Sequence, residues 1–408
     1  MKENNKRAIM KNPMHKIFFI FFCFLFLSIF FLVSSCKDER NTNSSNNHKR
    51  EDSTKKVTEN GSKIKGSYFE KIDVTIGKKE LKVPLGYEIK RQKVNLRKWA
   101  KIKLSPEFSI GGIIDTTFAF PTRVRTDSSG NIYVLDMRAK CVKKFNSNGE
   151  FQKKYGRQGN GPGEFQSPSR MDILPDGKII VLDSNQNRCT VFDGDKVYQI
   201  LSHLQPIGIC FNNEFEFSTL QVLDPLGYAP IRRYNFNGEK IRDYQNVIMT
   251  QSLGDIFIGA LPFINGELYR SQNNNLIYVP IYMNHFVKFS RNGSIQFSRN
   301  TIEDIKLPSF KRDRFDVINF RFPKENMSAY FSSLLEDHLY IVSFRETKKI
   351  ADSIEYVIDS YSESNGDYQY SFKIMLDEKM GDFHATKNKI YILKQDTELS
   401  VYSYKIIE

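Results

Sequence analysis

The sequence predicts an all-β chain: a six-bladed β-propeller in which an N-terminal strand closes the last blade. Three observations carry this. One pattern is written twice. It runs first from Pro121 through Gly130 to Ile132-Tyr-Val-Leu-Asp136 and on through Cys141 and Phe145 to Gly149, then from Pro168 through Gly177 to Ile179-Ile-Val-Leu-Asp183 and on through Arg188 and Phe192 to Gly194. Asp136 and Asp183 are 47 residues apart, and so are Phe145 and Phe192; a period of roughly 40 to 50 residues made of short strands is the signature of propeller blades. A strand-end aromatic then recurs six times, at Phe145, Phe192, Tyr234, Phe289, Tyr361 and Tyr402. Finally, 33 Phe and 20 Tyr with many β-branched residues suit packed sheets. A length of 408 residues would by itself suggest two or three domains, but six blades use most of it as one unit.

Taken in order, residues 1–35 read as a lipoprotein signal peptide. Lys2, Lys6, Arg7, Lys11 and Lys16 precede the almost wholly apolar run from Ile17 to Val33, and Ser34, Ser35 and Cys36 follow. A run of about 17 residues is at the short limit for a spanning helix, so the alternative is an uncleaved anchor. Both readings export the chain and tether it. The end of the run resembles a lipobox, with Val33 where leucine is more usual, in which Cys36 is lipidated and becomes the new N-terminus. Lys37-Asp-Glu39 directly behind it looks like the signal that sends some lipoproteins to the outer cell surface. The expected place is therefore the outer membrane, surface-exposed. Residues 36–66 are rich in Asn, Ser, Thr and Lys and form a disordered tether, because they cannot bury enough apolar surface to fold.

Residues 67–408 make the propeller, with lead-in strands over 67–104. Ile72 to Ile76 alternates with period two, Gly77 turns, and Glu80 to Val83 follows. The stretch Val94 to Leu104 holds the only tryptophan, Trp99, and is assigned the closing role, which removes an exposed sheet edge. Blade 1 covers about 119–156 and blade 2 about 166–203. Blade 3 opens at Pro206, blade 4 contains Asn275 to Val279, blade 5 contains His338 to Ser343, and blade 6 runs from Asn388 past Tyr402 and stops after its third strand. An insertion at 300–327, centred on Phe310 to Phe315, separates blades 4 and 5 and reads as a lid or docking loop.

The net charge is +13, and the 13 Lys/Arg against 6 Asp/Glu of residues 1–65 supply +7 of it. The folded part is only mildly basic, so nucleic-acid binding is not demanded. Of five cysteines, Cys23 and Cys36 belong to the leader, and Cys141, Cys189 and Cys210 are an odd set in strand-like segments, which is no disulfide framework.

Gly159-Asn-Gly-Pro-Gly-Glu-Phe165 lies between the two clear copies. With the repeat, it makes the chain similar to six-bladed propellers of NHL-repeat type, and most to secreted bacterial propeller lipoproteins that carry this Gly-x-Gly-Pro-Gly-Glu-Phe/Tyr turn. The likeness covers roughly residues 95–408 and is specific in blades 1 and 2. It implies the fold far better than an activity. In such a strand order, the loops after the second strand and those between blades share the channel face.

Repetition sorts the candidate residues. Asp136 and Asp183 recur, so they cap the next turn through backbone N–H groups. Asn-Gly at 148–149, 237–238, 292–293 and 365–366 is hairpin chemistry. The glycine-rich 156–165 is no phosphate loop, since it lacks the Gly-Lys-Ser/Thr ending. The blade-specific candidates on the channel face are Arg138, Arg157, Asn185, Arg188, Asn284, His285, Arg345 and Lys394. Arg123 and Arg170, each two residues after a blade-opening proline, are placed to reach the channel mouth. A cationic face of this kind suits oxyanions, which guanidinium groups bind through paired hydrogen bonds.

The expected function is a non-enzymatic binding module, lipid-anchored through Cys36, for a glycan, a peptide or a protein partner in the envelope, with no nucleic acid and no cofactor. One alternative is a metal-dependent hydrolase or lyase, since the resembled family implies channel metals. Calcium or zinc would then sit in the channel, with His203 and His384 as ligands. Another is a scaffold subunit of a nutrient-uptake complex. No serine-nucleophile elbow, paired cysteine ligands or His-Glu-x-x-His helix is present in the sequence.

Overall fold

In the computed structural model the described residues are 71–76, 79–84, 87–93, 96–112, 114–201, 206–221, 230–245, 265–303, 309–312, 318–321, 331–395 and 398–407. The signal peptide, Cys36, the tether, His203 and most of the 300–327 insertion lie outside them. The chain divides into two units, and the second, Gly66–Glu408, carries all the described structure.

Six four-stranded antiparallel sheets follow one another in this unit. Blade 1 is Pro121–Thr126, Ile132–Asp136, Cys141–Phe145 and Phe151–Tyr155; blade 2 is Pro168–Ile173, Ile179–Asp183, Arg188–Asp193 and Lys196–Leu201. Blades 3, 4 and 5 begin at Pro206–Asn213, Gly266–Arg270 and Phe331–Leu335. Blade 6 takes three strands from the C-terminus, Met380–Ala385, Lys389–Lys394 and Glu398–Ile407, and its outer strand, Lys101–Gly111, from the N-terminal side. The first strands of neighbouring blades touch around the ring, so they are the inner ones. The second strands of blades 1, 2 and 4 are buried along their whole length, because both faces of each sheet meet the next blade. The outer strand Phe151–Tyr155 is exposed and carries two lysines, which discourages pairing with other sheets.

The core lies between the blades. Tyr133, Leu135 and Val142 of blade 1 pack against Met171, Val181 and Phe192 of blade 2, with Phe165 of the glycine-rich turn between them. Blades 6 and 1 join through Leu393, Leu399 and Val401 against Val124, Val134 and Phe145. Gly149 sits at φ +86°, and a Cβ there would stand 2.7 Å from the Phe108 ring, so only glycine lets this hairpin seat the closing strand.

Asp136 and Asp183 cap turns, as their repetition implies. Asp136 accepts the backbone N–H groups of Ala119, Phe120 and Ala139 at 2.8, 3.0 and 3.0 Å. Asp183 accepts those of Gln166, Ser167, Asn185 and Gln186. Cys141, Cys189 and Cys210 are free and buried.

The closing strand differs from expectation in place. It pairs Lys101 with Ile407 and Gly111 with Glu398, seven residues later than the Val94–Leu104 stretch at each end. The reason is that residues 87–93 and 96–100 are engaged elsewhere, along blades 4 and 5. Lys90 bridges Arg299, Gln92 bonds Asn300 through both backbone and side chain at 2.6 Å, and Trp99 bridges Ser371. Arg97 grips Asp359 at 3.0 and 2.9 Å and reaches Glu303 at 3.1 Å. This segment is thus a strap, fastened by isolated backbone bridges and single side chains rather than by a continuous ladder.

Candidate functional site

The inner strands bring one residue per blade to the same register position. Backbone pairing sets Arg123 opposite Leu135, Arg170 opposite Leu182, Gly208 opposite Leu220, Glu267 opposite Val279, Phe331 opposite Val342 and Asp382 opposite Leu393. Two residues further along each strand stand Arg125, Asp172, Cys210, Tyr269, Ser333 and His384. Contacts between distant blades show that these positions meet at the axis. Arg123 of blade 1 donates to Glu267 of blade 4 at 3.2 Å, which joins opposite sides of the ring. Arg170 of blade 2 brings its Nε to 3.7 Å from the same oxygen. Arg125 donates to Asp382 of blade 6 at 2.9 Å, and the same oxygen accepts the N–H of Val124 at 2.9 Å.

Charge is unevenly matched here. Three guanidinium groups face two carboxylates, while Asp172 is committed to the backbone N–H of Phe211 at 2.8 Å. Burial opposes the charge of Glu267, but Arg123, Arg170 and Arg125 outweigh it and hold its carboxyl below the usual range. Burial pulls Arg125 down, but Asp382, Tyr269, Glu267 and Asp172 together outweigh it and hold the guanidinium above its ordinary value. Arg170 goes the other way: burial and the neighbouring Arg123 pull it down to about 10. Its hydrogen bond goes to the Ser169 carbonyl at 3.1 Å, and its contact with Glu267 is too long to be a good one.

His384 faces the same space. Its Nε2 lies 2.9 Å from Thr126 Oγ1, and burial, then Arg125, pushes it down to about 3, so the ring is neutral. A guanidinium beside it disfavours a cation, and among the described residues no group of three or more His, Cys, Asp and Glu could hold a metal ion.

The other sequence-predicted residues sit elsewhere. Arg157 pairs with Glu164 at 2.7 Å inside the glycine-rich turn. Arg188 is buried and donates to the carbonyls of Asn160 and Glu164, so it props that turn. Arg138 is exposed over the Phe120 ring, and Asn185 is exposed on a turn capped by Asp183. Asn284 accepts the Thr301 N–H through its carbonyl, and His285 is covered by Tyr87 of the strap, which leaves it neutral by burial. Arg345 is exposed on the long strand His338–Ile350. Lys394 is locked between Asp377 and Glu398 at 3.0 and 3.2 Å. The structure therefore gathers Arg123 and Arg170 and disperses the rest. Arg125, Glu267 and Asp382 were missed. Arg125 was within reach of reasoning, since it shares a strand face with Arg123.

The domain family described as a 6-bladed beta-propeller, DUF5128, matches residues 120–205, the two blades with the clearest repeat. No curated protein matches the chain. Among solved structures, a Bacteroides fragilis protein described as exported is similar at 10% identity and a TM-score of 0.50, over 78% of this chain and 99% of that one. Virginiamycin B lyase from Staphylococcus aureus is similar at 10% identity and a TM-score of 0.46, over 74% and 99%. A DUF4221 family member from Bacteroides vulgatus is similar at 11% identity and a TM-score of 0.44, over 75% and 98%. At such identities the likeness concerns the fold. This chain is a six-bladed propeller.

Proposed function

We propose that the chain is an exported propeller lipoprotein of NHL-repeat type, held at the outer membrane through Cys36, and that it binds without catalysis an acidic ligand at the channel arginines. The ligand class is a carboxylate-bearing glycan or peptide from the envelope or its surroundings. The observation that carries this reading is Arg170, a largely buried guanidinium beside a second one, with half a share in a single carboxylate. A ligand carboxylate would supply the partner that the fold leaves short, in a charge-assisted geometry that Arg favours. The leader and the Lys37-Asp-Glu39 signal support the location. The apolar residues exposed on outer strands, Phe151, Val197, Ile241 and Met375, fall on four different blades rather than in one patch, which favours a ligand site over a scaffold edge.

Calorimetry on the full chain tests this, with oligogalacturonate and an oligoglutamate peptide set against maltotriose and a neutral peptide. Binding should be confined to the acidic ligands and weaken with salt. Arg170→Gln should lower affinity about tenfold or more, since a hydrogen bond to a charged group is worth roughly 1.5–3 kcal/mol. Equal binding of neutral ligands, or an unchanged affinity in R170Q, would overturn the reading.

A further inference from the structure

We propose a second ligand site on the outer edge of blade 5, which takes a neutral pyranose ring. A pocket of about 380 Å³ opens there, lined by Lys98, Trp99, Ala100, His338, Gln369 and Tyr370. That volume is in the range of small-molecule sites. Nothing in the channel reading uses these residues.

Two parts of the chain build it. The strap segment 98–100 lies parallel to the outer strand Tyr368–Leu376, with Ala100 N–H on the Ser371 carbonyl and Ser371 N–H on the Lys98 carbonyl, both at 2.8 Å. These bonds flank Trp99 and fix it at the surface, where it stays 53% exposed. A tryptophan has much to gain by burial, so one pinned in the open on a pocket wall suits a partner from outside. Lys373 sits over the indole at 5.0 Å and is itself neutralised by Glu355 at 2.9 Å.

The polar wall is ordered from behind. Gln369 Oε1 lies 2.6 Å from His338 Nδ1 and accepts the Ser360 hydroxyl at 3.1 Å. A carbonyl oxygen only accepts, so His338 carries its proton on Nδ1. Gln369 then offers its amide NH2, and His338 its Nε2, as groups for a ligand. The His338 ring stacks on Tyr340 at 5.8 Å, and the Tyr370 hydroxyl lies 3.3 Å from that of Tyr340.

This is the chemistry a pyranose matches. One face of a sugar ring is C–H and lies flat on an indole. Its rim is hydroxyl, which gives and takes hydrogen bonds and so fits an amide donor, an imidazole nitrogen and a phenol together. Charge argues for a neutral sugar: the wall carries Lys98, while the Asp337 carboxylate stands 3.5 Å from His338, so neither sign prevails.

The sequence holds one tryptophan, so tryptophan emission reports this site alone. The full chain is titrated with maltotriose, cellotriose and tri-N-acetylchitotriose, and with trigalacturonate as the charged control. A saturable change in emission with at least one neutral trisaccharide is expected. It should weaken about tenfold in Gln369→Ala and in Tyr370→Ala, the scale of one lost buried hydrogen bond, and persist in Arg170→Gln. Emission unchanged by all three neutral sugars up to their solubility overturns the proposal. So does a response confined to trigalacturonate, or one that Q369A and Y370A both leave intact. A calorimetric titration of Trp99→Phe with the best sugar supplies the independent check: unchanged affinity there places the sugar elsewhere.

Discussion

Replacing Glu267 with glutamine removes the one carboxylate that Arg123 and Arg170 share. The contacts are 3.2 and 3.7 Å, and the Glu267 side chain is 20% exposed. At an effective dielectric near 20, each such contact is worth roughly 4–5 kcal/mol of attraction before desolvation is counted. Removing one partner of a buried pair typically costs about 3–5 kcal/mol, and partial exposure puts this case near about 3. Urea unfolding at neutral pH and low salt should show that loss in E267Q. A second readout separates charge from packing. The variant leaves two guanidinium groups facing each other without a counter-charge, so a small dicarboxylate such as malonate should bind there. It should raise the variant's stability more than that of the unchanged chain, by about 2.7 kcal/mol at a hundredfold excess over its Kd. A loss below about 1 kcal/mol, the scale of a surface pair, would refute the description of the channel as a shared-carboxylate clamp. So would equal stabilisation of both proteins by malonate.

Two further outcomes follow from the strap. Arg97→Ala leaves Asp359 buried with the Ser371 hydroxyl at 2.5 Å and no counter-charge, and should cost about 3–5 kcal/mol in urea unfolding; the double replacement Arg97→Met with Asp359→Leu should recover most of it. Glu303 is pushed up to about 8 by burial, then by the charge of Asp359. Its folded form therefore holds a proton that the unfolded chain releases above the ordinary carboxylate range. The stability this contributes is complete below about pH 4.5 and is lost as pH rises through about 8, at up to about 1.4 kcal/mol per pH unit. Glu303→Gln should flatten the melting temperature measured from about pH 6 to about pH 9.

The fold was legible because blades are local. Blades 1 to 5 are each a run of four strands within about forty residues, and the landmarks that mark one, such as Asp136 with Phe145, recur at one spacing in blades 1 and 2. The closing role was legible too, since blade 6 stops a strand short. The position of the closing strand was not. Val94 and Leu96 alternate with polar residues, as Ile102, Leu104, Phe108 and Ile110 do, and the choice between the two stretches is made by single partners far away, Asn300 for Gln92 and Asp359 for Arg97. The site was half legible for a similar reason. Arg123 and Arg170 follow matching prolines, whereas Glu267 follows no proline and reaches the axis only through its register with Val279. Arg188 and Lys394 looked available as isolated cations, but carbonyls in one case and acids in the other already hold them.

The pairing of Lys101 with Ile407 has a consequence for when this protein can exist as a ring. The strand that fills the gap, Lys101–Gly111, is made before all five complete blades, and its partner, Glu398–Ile407, after them. Until residues 398–407 leave the ribosome, the Lys101–Gly111 strand lacks the partner it pairs with in blade 6. A contact spanning nearly the whole chain is slow to form. Completion thus waits for Glu398–Ile407: a chain that stops before this strand lacks the third strand of blade 6 and, with it, the seat of the closing strand. Such a product keeps unpaired strands that mark it for aggregation or degradation. The seam makes the Glu398–Ile407 strand a checkpoint for the five blades made before it.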